Sequence, residues 1–138
     1  MEATSLGVSF IEQPLPADDD NELADLNLPI PICADESCHD TSSLNTLNSG
    51  YDLINVKLDK TGGLSEAIQL IKQARAKGLG IMVGCMVGTS LAMAPATLLA
   101  SSSDYVDLDG PLLLTCDRKY GIIYRNGIMH PPSTALWG

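Results

Sequence analysis

Five short apolar runs end at Glu12, Asp35, Lys57, Val83 and Asp107, which stand 23, 22, 26 and 24 residues apart. Each interval has room for one strand and one helix, and the intervals share no tandem sequence similarity. Strands alternating with helices at this spacing predict an α/β chain built on a parallel sheet with right-handed crossovers. Polar residues gather at the C-terminal strand ends, where a (β/α) barrel places its active site. An open doubly wound sheet also binds ligands at that edge. Gly78, Gly80 and Gly84 do not have the spacing of a phosphate-cradling glycine fingerprint.

The central run is Leu53-Ile54-Asn55-Val56-Lys57-Leu58-Asp59-Lys60-Thr61-Gly62-Gly63. As a strand it sends Ile54, Val56 and Leu58 to one face and Leu53, Asn55, Lys57 and Asp59 to the other. A lysine on the inner side of a buried strand is unfavourable unless its charge is used. The two glycines permit a tight turn into a helix. That helix, 64–77, has an apolar stripe at Leu64, Ala67, Ile68, Ile71 and Ala74. Further strands are predicted at 6–13, 29–37, 80–87 and 104–109. Short helices follow over 18–26, from Thr41 or Ser42 to Gly50, and over 91–100, where Pro95 is a disruptive residue. Asp18, Asp19 and Asp20 favour a helix N-terminus. From residue 112 the pattern becomes irregular, with a hairpin predicted between 122–124 and 128–129.

A chain of 138 residues suffices for one domain with a real core. Its formal charge of −9 argues against nucleic acid and against anionic membrane surfaces. No apolar run approaches the roughly 18 residues that span a bilayer. The N-terminal residues have neither a basic region nor an apolar one of the secretory kind, so a cytoplasmic chain with reduced thiols is expected. Cys33, Cys38, His39 and Asp40 cluster in sequence but fit no structural zinc spacing.

Glu12 and Asp35, on neighbouring strands, suit a hard divalent cation such as Mg²⁺, which prefers oxygen ligands. Lys57 comes from the next strand, and partial desolvation beside a metal would lower its pKa towards that of a useful base. Asp107 and Asp109, two residues apart, face one side and can grip a cationic group. Together these parts describe removal of a proton beside a metal-bound carboxylate. Each also has a plainer role: Glu12 as a turn cap before Pro14, Asp35 as a loop cap, and Asp107-Leu108-Asp109-Gly110 as strand-exit turn chemistry.

Phe10-Ile11-Glu12-Gln13-Pro14, Ala34-Asp35-Glu36-Ser37, Asn55-Val56-Lys57-Leu58-Asp59-Lys60-Thr61-Gly62-Gly63 and Asp107-Leu108-Asp109-Gly110-Pro111 resemble, in this order, barrel motifs of the enolase superfamily, muconate lactonizing subgroup. The last motif resembles that of the dipeptide epimerases. The resemblance covers essentially the whole chain. It implies a modified TIM barrel, of which residues 1–111 would form strands four to eight and 112–138 an irregular C-terminal segment. It also implies that Glu12 and Asp35 are the second and third Mg²⁺ ligands and that Lys57 is one of two acid/base lysines. Asp107 and Asp109 would then hold the α-ammonium of a dipeptide of the L-Ala-D/L-Glu type during a 1,1-proton transfer through an enediolate.

The same resemblance implies a capping domain and three earlier barrel strands, which bring the partner lysine and the first metal aspartate. Nothing upstream of Glu12 supplies them, so the chain is expected to be a C-terminal barrel fragment, inactive alone. A complementary N-terminal half-chain or a homo-oligomer would be its partner. Gly88 departs from the glutamate that many relatives carry at the corresponding strand exit. A cycloisomerase or an o-succinylbenzoate synthase-like lyase remains an alternative, as does a non-catalytic fragment or half of a split enzyme.

Overall fold

The structure, a computed structural model, describes residues 2–138. After a short helix α1 (Glu2–Ser5) come five strands: β1 (Ile11–Glu12), β2 (Ile32–Ala34), β3 (Leu53–Val56), β4 (Gly80–Val83) and β5 (Tyr105–Val106). They form one sheet in chain order, every neighbouring pair parallel. The connections carry α2 (Thr41–Asn45), α3 (Leu58–Thr61), α4 (Leu64–Ala76) and α5 (Ser90–Ala96).

The two faces of the sheet have different chemistry because side chains alternate along each strand. Ile32, Ala34, Ile54, Val56, Ile81 and Val83 belong to the main core, together with Ala67, Leu70, Ile71 and Ala74 of α4 and Met93 and Ala96 of α5. On the other face Cys33, Leu53 and Met82 form a smaller cluster joined by Phe10. The ring of Phe10, just before β1, lies 4.7 Å from that of Tyr105 in β5. These residues belong to opposite ends of the strand order, so the sheet curls over its inner face as half a barrel. Gly80 makes room for this layer: a Cβ there would meet Leu53 Cγ at 2.9 Å.

Several elements differ from their sequence reading, for local reasons. The strands are shorter, and β3 ends at Val56. Leu58–Thr61 is a helical turn closed by Gly62 at φ 75°, so Asp59 is not on the strand. In α4 the buried residues are Ala67, Leu70, Ile71 and Ala74, whereas Ile68 is exposed. The contact face is thus rotated towards Leu70. Asp40, not Thr41 or Ser42, caps α2: its carboxylate accepts from Ser43 N at 2.8 Å, and Ser43 Oγ accepts from Asp40 N at 2.9 Å. Residues 17–19 and 21–25 form two 3-10 turns instead of a helix. Pro95 does lie inside α5, lacks the N–H that would bond one turn back, and is followed by 3-10 geometry over Thr97–Ser102.

Beyond residue 112 a hairpin pairs β6 (Tyr124–Arg125) with β7 (Ile128–Met129). Its turn is Asn126-Gly127, with both φ angles positive at 53° and 74°, as a tight two-residue turn requires. The segment is tied to the sheet. Tyr124 Oη donates to Leu108 O, and Ile122 N donates to Ser90 Oγ at 2.8 Å. Among the described residues no helix is long and apolar enough to cross a membrane.

Candidate active site

Parallel strands in register bring their C-terminal ends to one rim. Asp35 follows β2 directly, and Lys57 follows β3. Lys57 Nζ donates to Asp35 Oδ2 at 2.5 Å. Lys60, one helical turn later, reaches back to Asp35 Oδ1 at 2.6 Å, to Asp35 O at 2.6 Å and to Cys38 O at 3.0 Å. All three charged side chains are nearly buried, with 11% of Asp35, 12% of Lys57 and 8% of Lys60 exposed. Burial alone would raise the Asp35 carboxyl, but hydrogen bonds from the two lysines outweigh it and hold it below the usual aspartate range. Burial likewise works to lower Lys57, but Asp35 outweighs it and holds the ammonium above its ordinary value. The nearest charge to Lys57 is thus a carboxylate that favours its protonated form.

Glu12 ends β1. Asn55 Nδ2 donates to its Oε1 at 2.5 Å. Asn55 is 1% exposed, on the inner face of β3. Its Oδ1 is the one fully buried side-chain polar atom without a hydrogen-bond partner among the described residues.

Next to Glu12, Gln13 adopts a φ of 37°. Its Oε1 accepts from Asp35 N at 2.8 Å and from Ser37 N at 3.2 Å. Its Nε2 lies within hydrogen-bond distance of Leu15 O, Ser37 Oγ and Tyr51 Oη. Asp20 closes the network, accepting from Ser37 Oγ at 2.7 Å and Tyr51 Oη at 2.8 Å. Asp20 is therefore a buried acceptor between loops, not part of a solvated helix start.

Asp107 and Asp109 lie past the end of β5 and are exposed. Asp107 N still donates to Val83 O at 2.9 Å, which continues the line of the ladder. Burial and the neighbouring Asp109 push the Asp107 carboxyl above its usual range, and the distant charge of Lys57 opposes the rise. With Leu112, Tyr124, Asn126 and Met129 the two aspartates line a cavity of about 520 Å³. Gly110 is held tightly, since a Cβ there would sit 2.7 Å from Met86 O in the loop after β4. Gly88 is different: a Cβ would meet nothing closer than 3.5 Å, so this position has room for a side chain.

The rim thus brings Glu12, Asp35 and Lys57 together on three adjacent strands, with Asp107 and Asp109 two strands further on. Sequence reasoning missed the roles of Gln13 and Lys60, although Lys60 carried a signal in its three-residue spacing from Lys57. The donor chemistry of Glu12 and Asp35 fits a hard cation, which binds carboxylate oxygen. Among the described residues no group of three or more histidines, cysteines, aspartates or glutamates is arranged to hold a metal ion.

Residues 1–134 match the family described as Enolase C-terminal domain-like. An N-acetyl-D-glutamate racemase from a Pseudoalteromonas species is 55% identical over 134 residues, 97% of this chain and 42% of that protein. The L-Ala-D/L-Glu epimerase of Escherichia coli is 48% identical over 125 residues, 91% of this chain and 39% of its own length. Among solved structures, an enolase family member from Agrobacterium tumefaciens with homology to dipeptide epimerases, bound to sodium and L-Ala-L-Glu, superposes with a TM-score of 0.95. It is 52% identical over 99% of this chain and 42% of that one. A dipeptide epimerase from Methylococcus capsulatus, complexed with Mg and L-Arg-D-Lys, superposes at 0.85 with 32% identity, over 94% and 39%. The chain spans about two fifths of the curated relatives it matches. It belongs to the Enolase C-terminal domain-like family, and its curved parallel sheet is part of an enolase-superfamily barrel.

Proposed function

We propose that this family member carries part of the active site of an Mg²⁺-dependent dipeptide epimerase of the L-Ala-D/L-Glu type, and that it does not turn over alone. The observation that carries the proposal is the convergence of Glu12, Asp35 and Lys57 at three adjacent strand ends, with Lys57 2.5 Å from Asp35.

In this reading Glu12 and Asp35 are carboxylate ligands of the cation. Bound Mg²⁺ would supply the positive charge that stabilises an enediolate. Lys57 takes the α-proton from one face of the substrate or returns it there. As an ammonium it has no free electron pair, so it acts as a base only after giving a proton to solvent, a loss that its pairing with Asp35 opposes and that release from Asp35 favours. Lys60 keeps its bonds to the two backbone carbonyls and remains a fixed counter-charge to Asp35. Asp107 and Asp109 hold the substrate ammonium, and a cation between them relieves their mutual repulsion. A second lysine and a further metal ligand would come from residues outside this sequence, on the same polypeptide or on a complementary one. Association of identical copies would repeat the present residues without adding those two.

The test is loss of the glutamyl α-proton signal in D₂O, for the chain alone and for the chain joined behind the N-terminal portion of the E. coli epimerase. The proposal expects exchange of L-Ala-L-Glu only in the joined form, and only with a divalent cation. Exchange that survives chelation would overturn the metal reading.

The similarity to an N-acetyl-D-glutamate racemase favours a second reading, in which the same residues act on an N-acylated amino acid. Such a substrate has no ammonium for the aspartate pair. Replacing both Asp107 and Asp109 by Asn should then spare turnover, whereas the dipeptide reading expects its loss.

A further inference from the structure

The amide of Asn55 is placed unusually for a side chain with no role in the proton transfer. It is on the inner face of the sheet, 1% exposed, two residues before Lys57. Its Nδ2 donates to Glu12 Oε1 at 2.5 Å across the intervening strand β2, while its Oδ1 has no hydrogen-bond partner among the described residues. Leaving a buried amide oxygen unpaired costs about 1–3 kcal/mol. The oxygen lies against Gly84. A Cβ at Gly84 would fall 2.4 Å from Oδ1, 2.7 Å from Nδ2 and 3.0 Å from Cγ of Asn55. The glycine is thus the seat in which the amide rests. The exchanged amide orientation would put Oδ1 against the Glu12 carboxylate, acceptor against acceptor, so the orientation is fixed by Glu12.

We infer that Asn55, seated on Gly84, is a positioning residue that fixes the Glu12 carboxylate for metal binding. The inference rests on the reading of Glu12 as a metal ligand. Asn55 occupies Oε1, which restricts rotation of the carboxylate and leaves Oε2 as the oxygen available to a cation. Glu12 is otherwise solvent-exposed at an edge strand of two residues. Loss of a partner that orients a metal ligand typically lowers metal affinity roughly 10–100-fold.

The test uses the chain joined behind the N-terminal portion of the E. coli epimerase, so that the metal ligand this chain does not carry is present. Mn²⁺ dissociation constants are measured by calorimetry for wild type, Asn55→Ala, Gly84→Ala and the double variant Asn55→Ala/Gly84→Ala. Folding of each is checked by NMR dispersion. The side-chain amide resonances of Asn55 are followed in wild type and in Glu12→Gln. The inference expects Asn55→Ala and Gly84→Ala each to weaken Mn²⁺ binding at least about tenfold. It expects the double variant to lose no more than either alone, and Glu12→Gln to shift the Asn55 amide signals.

Unchanged Mn²⁺ affinity in folded Asn55→Ala would overturn the inference and leave the metal reading standing. If wild type binds no Mn²⁺ but the Asn55 signals respond to Glu12→Gln, the metal reading falls while the Asn55–Glu12 placement stands. Asn55 signals indifferent to Glu12→Gln would overturn the placement itself.

Discussion

The two sides of the rim are built differently. On the β1–β3 side the central charged groups have bonded partners. Asp35 holds two lysines, Glu12 is held by Asn55, and Gln13 clasps the backbone that follows Asp35. On the β5 side two exposed aspartates interact with one another beside an open cavity, and no ion pair to either is found among the described residues. The first side is pre-organised by its own residues. The second is electrostatically unsatisfied, and a positively charged ligand would complete it. Preorganised charge lowers barriers because no rearrangement is needed when charge develops, whereas an unbalanced pair favours the arrival of its counter-charge.

The sharpest way to break this comparison is to remove charge from each side. Asp35→Ala leaves Lys57 and Lys60 nearly buried and unpaired, and urea unfolding should show a loss of roughly 3–5 kcal/mol. Gln13→Ala strands the acceptor and donor groups of the Asp20–Ser37–Tyr51 network, with an expected loss of about 1–3 kcal/mol in the same measurement. Asp107→Asn should stay within about 0.5 kcal/mol of wild type, since it relieves a repulsion at an exposed position. An Asp107→Asn loss as large as that of Asp35→Ala would end the distinction between the sides.

Acid sharpens it further, in metal-free buffer. Asp35 has a folded value below the 3.8 of a free aspartate. Its contribution is therefore present in full above 3.8 and is lost as pH falls through the lowered value. Asp107 has a folded value above 3.8. Its ionisation opposes folding, in full above the raised value and not at all once pH is below 3.8. Stability curves against pH should thus show Asp35→Asn removing an acid-labile gain, and Asp107→Asn giving a small gain that disappears in acid.

The outer face of the sheet was legible because burial against helices demands alternation, and Ile54 and Val56 obey it. The parallel order followed from the spacing of the strand ends. The motif residues at the rim were legible only as residue types: Glu12, Asp35 and Lys57 do meet, but their pairing with Gln13, Lys60 and Asn55 depends on strand register and curl, which leave no periodic trace. Ile68 misled because the helix face is chosen by what the sheet presents, not by apolarity alone. The glycines at 80 and 84 were legible only as lacking a phosphate-fingerprint spacing; their role is steric, since Leu53 and Asn55 fill the space a side chain there would take.

The central claim is that Lys57, at the pre-organised side, is the base of an α-proton transfer. The direct measurement is the rate of glutamyl α-proton exchange in D₂O by the chain joined behind the N-terminal portion of the E. coli epimerase, with and without Lys57→Ala. Starting from L-Ala-L-Glu and from its glutamyl epimer separates the two faces. The account predicts that exchange from one epimer falls by roughly 10²–10⁴-fold in the variant. Undiminished exchange from both epimers in a folded Lys57→Ala protein would contradict it.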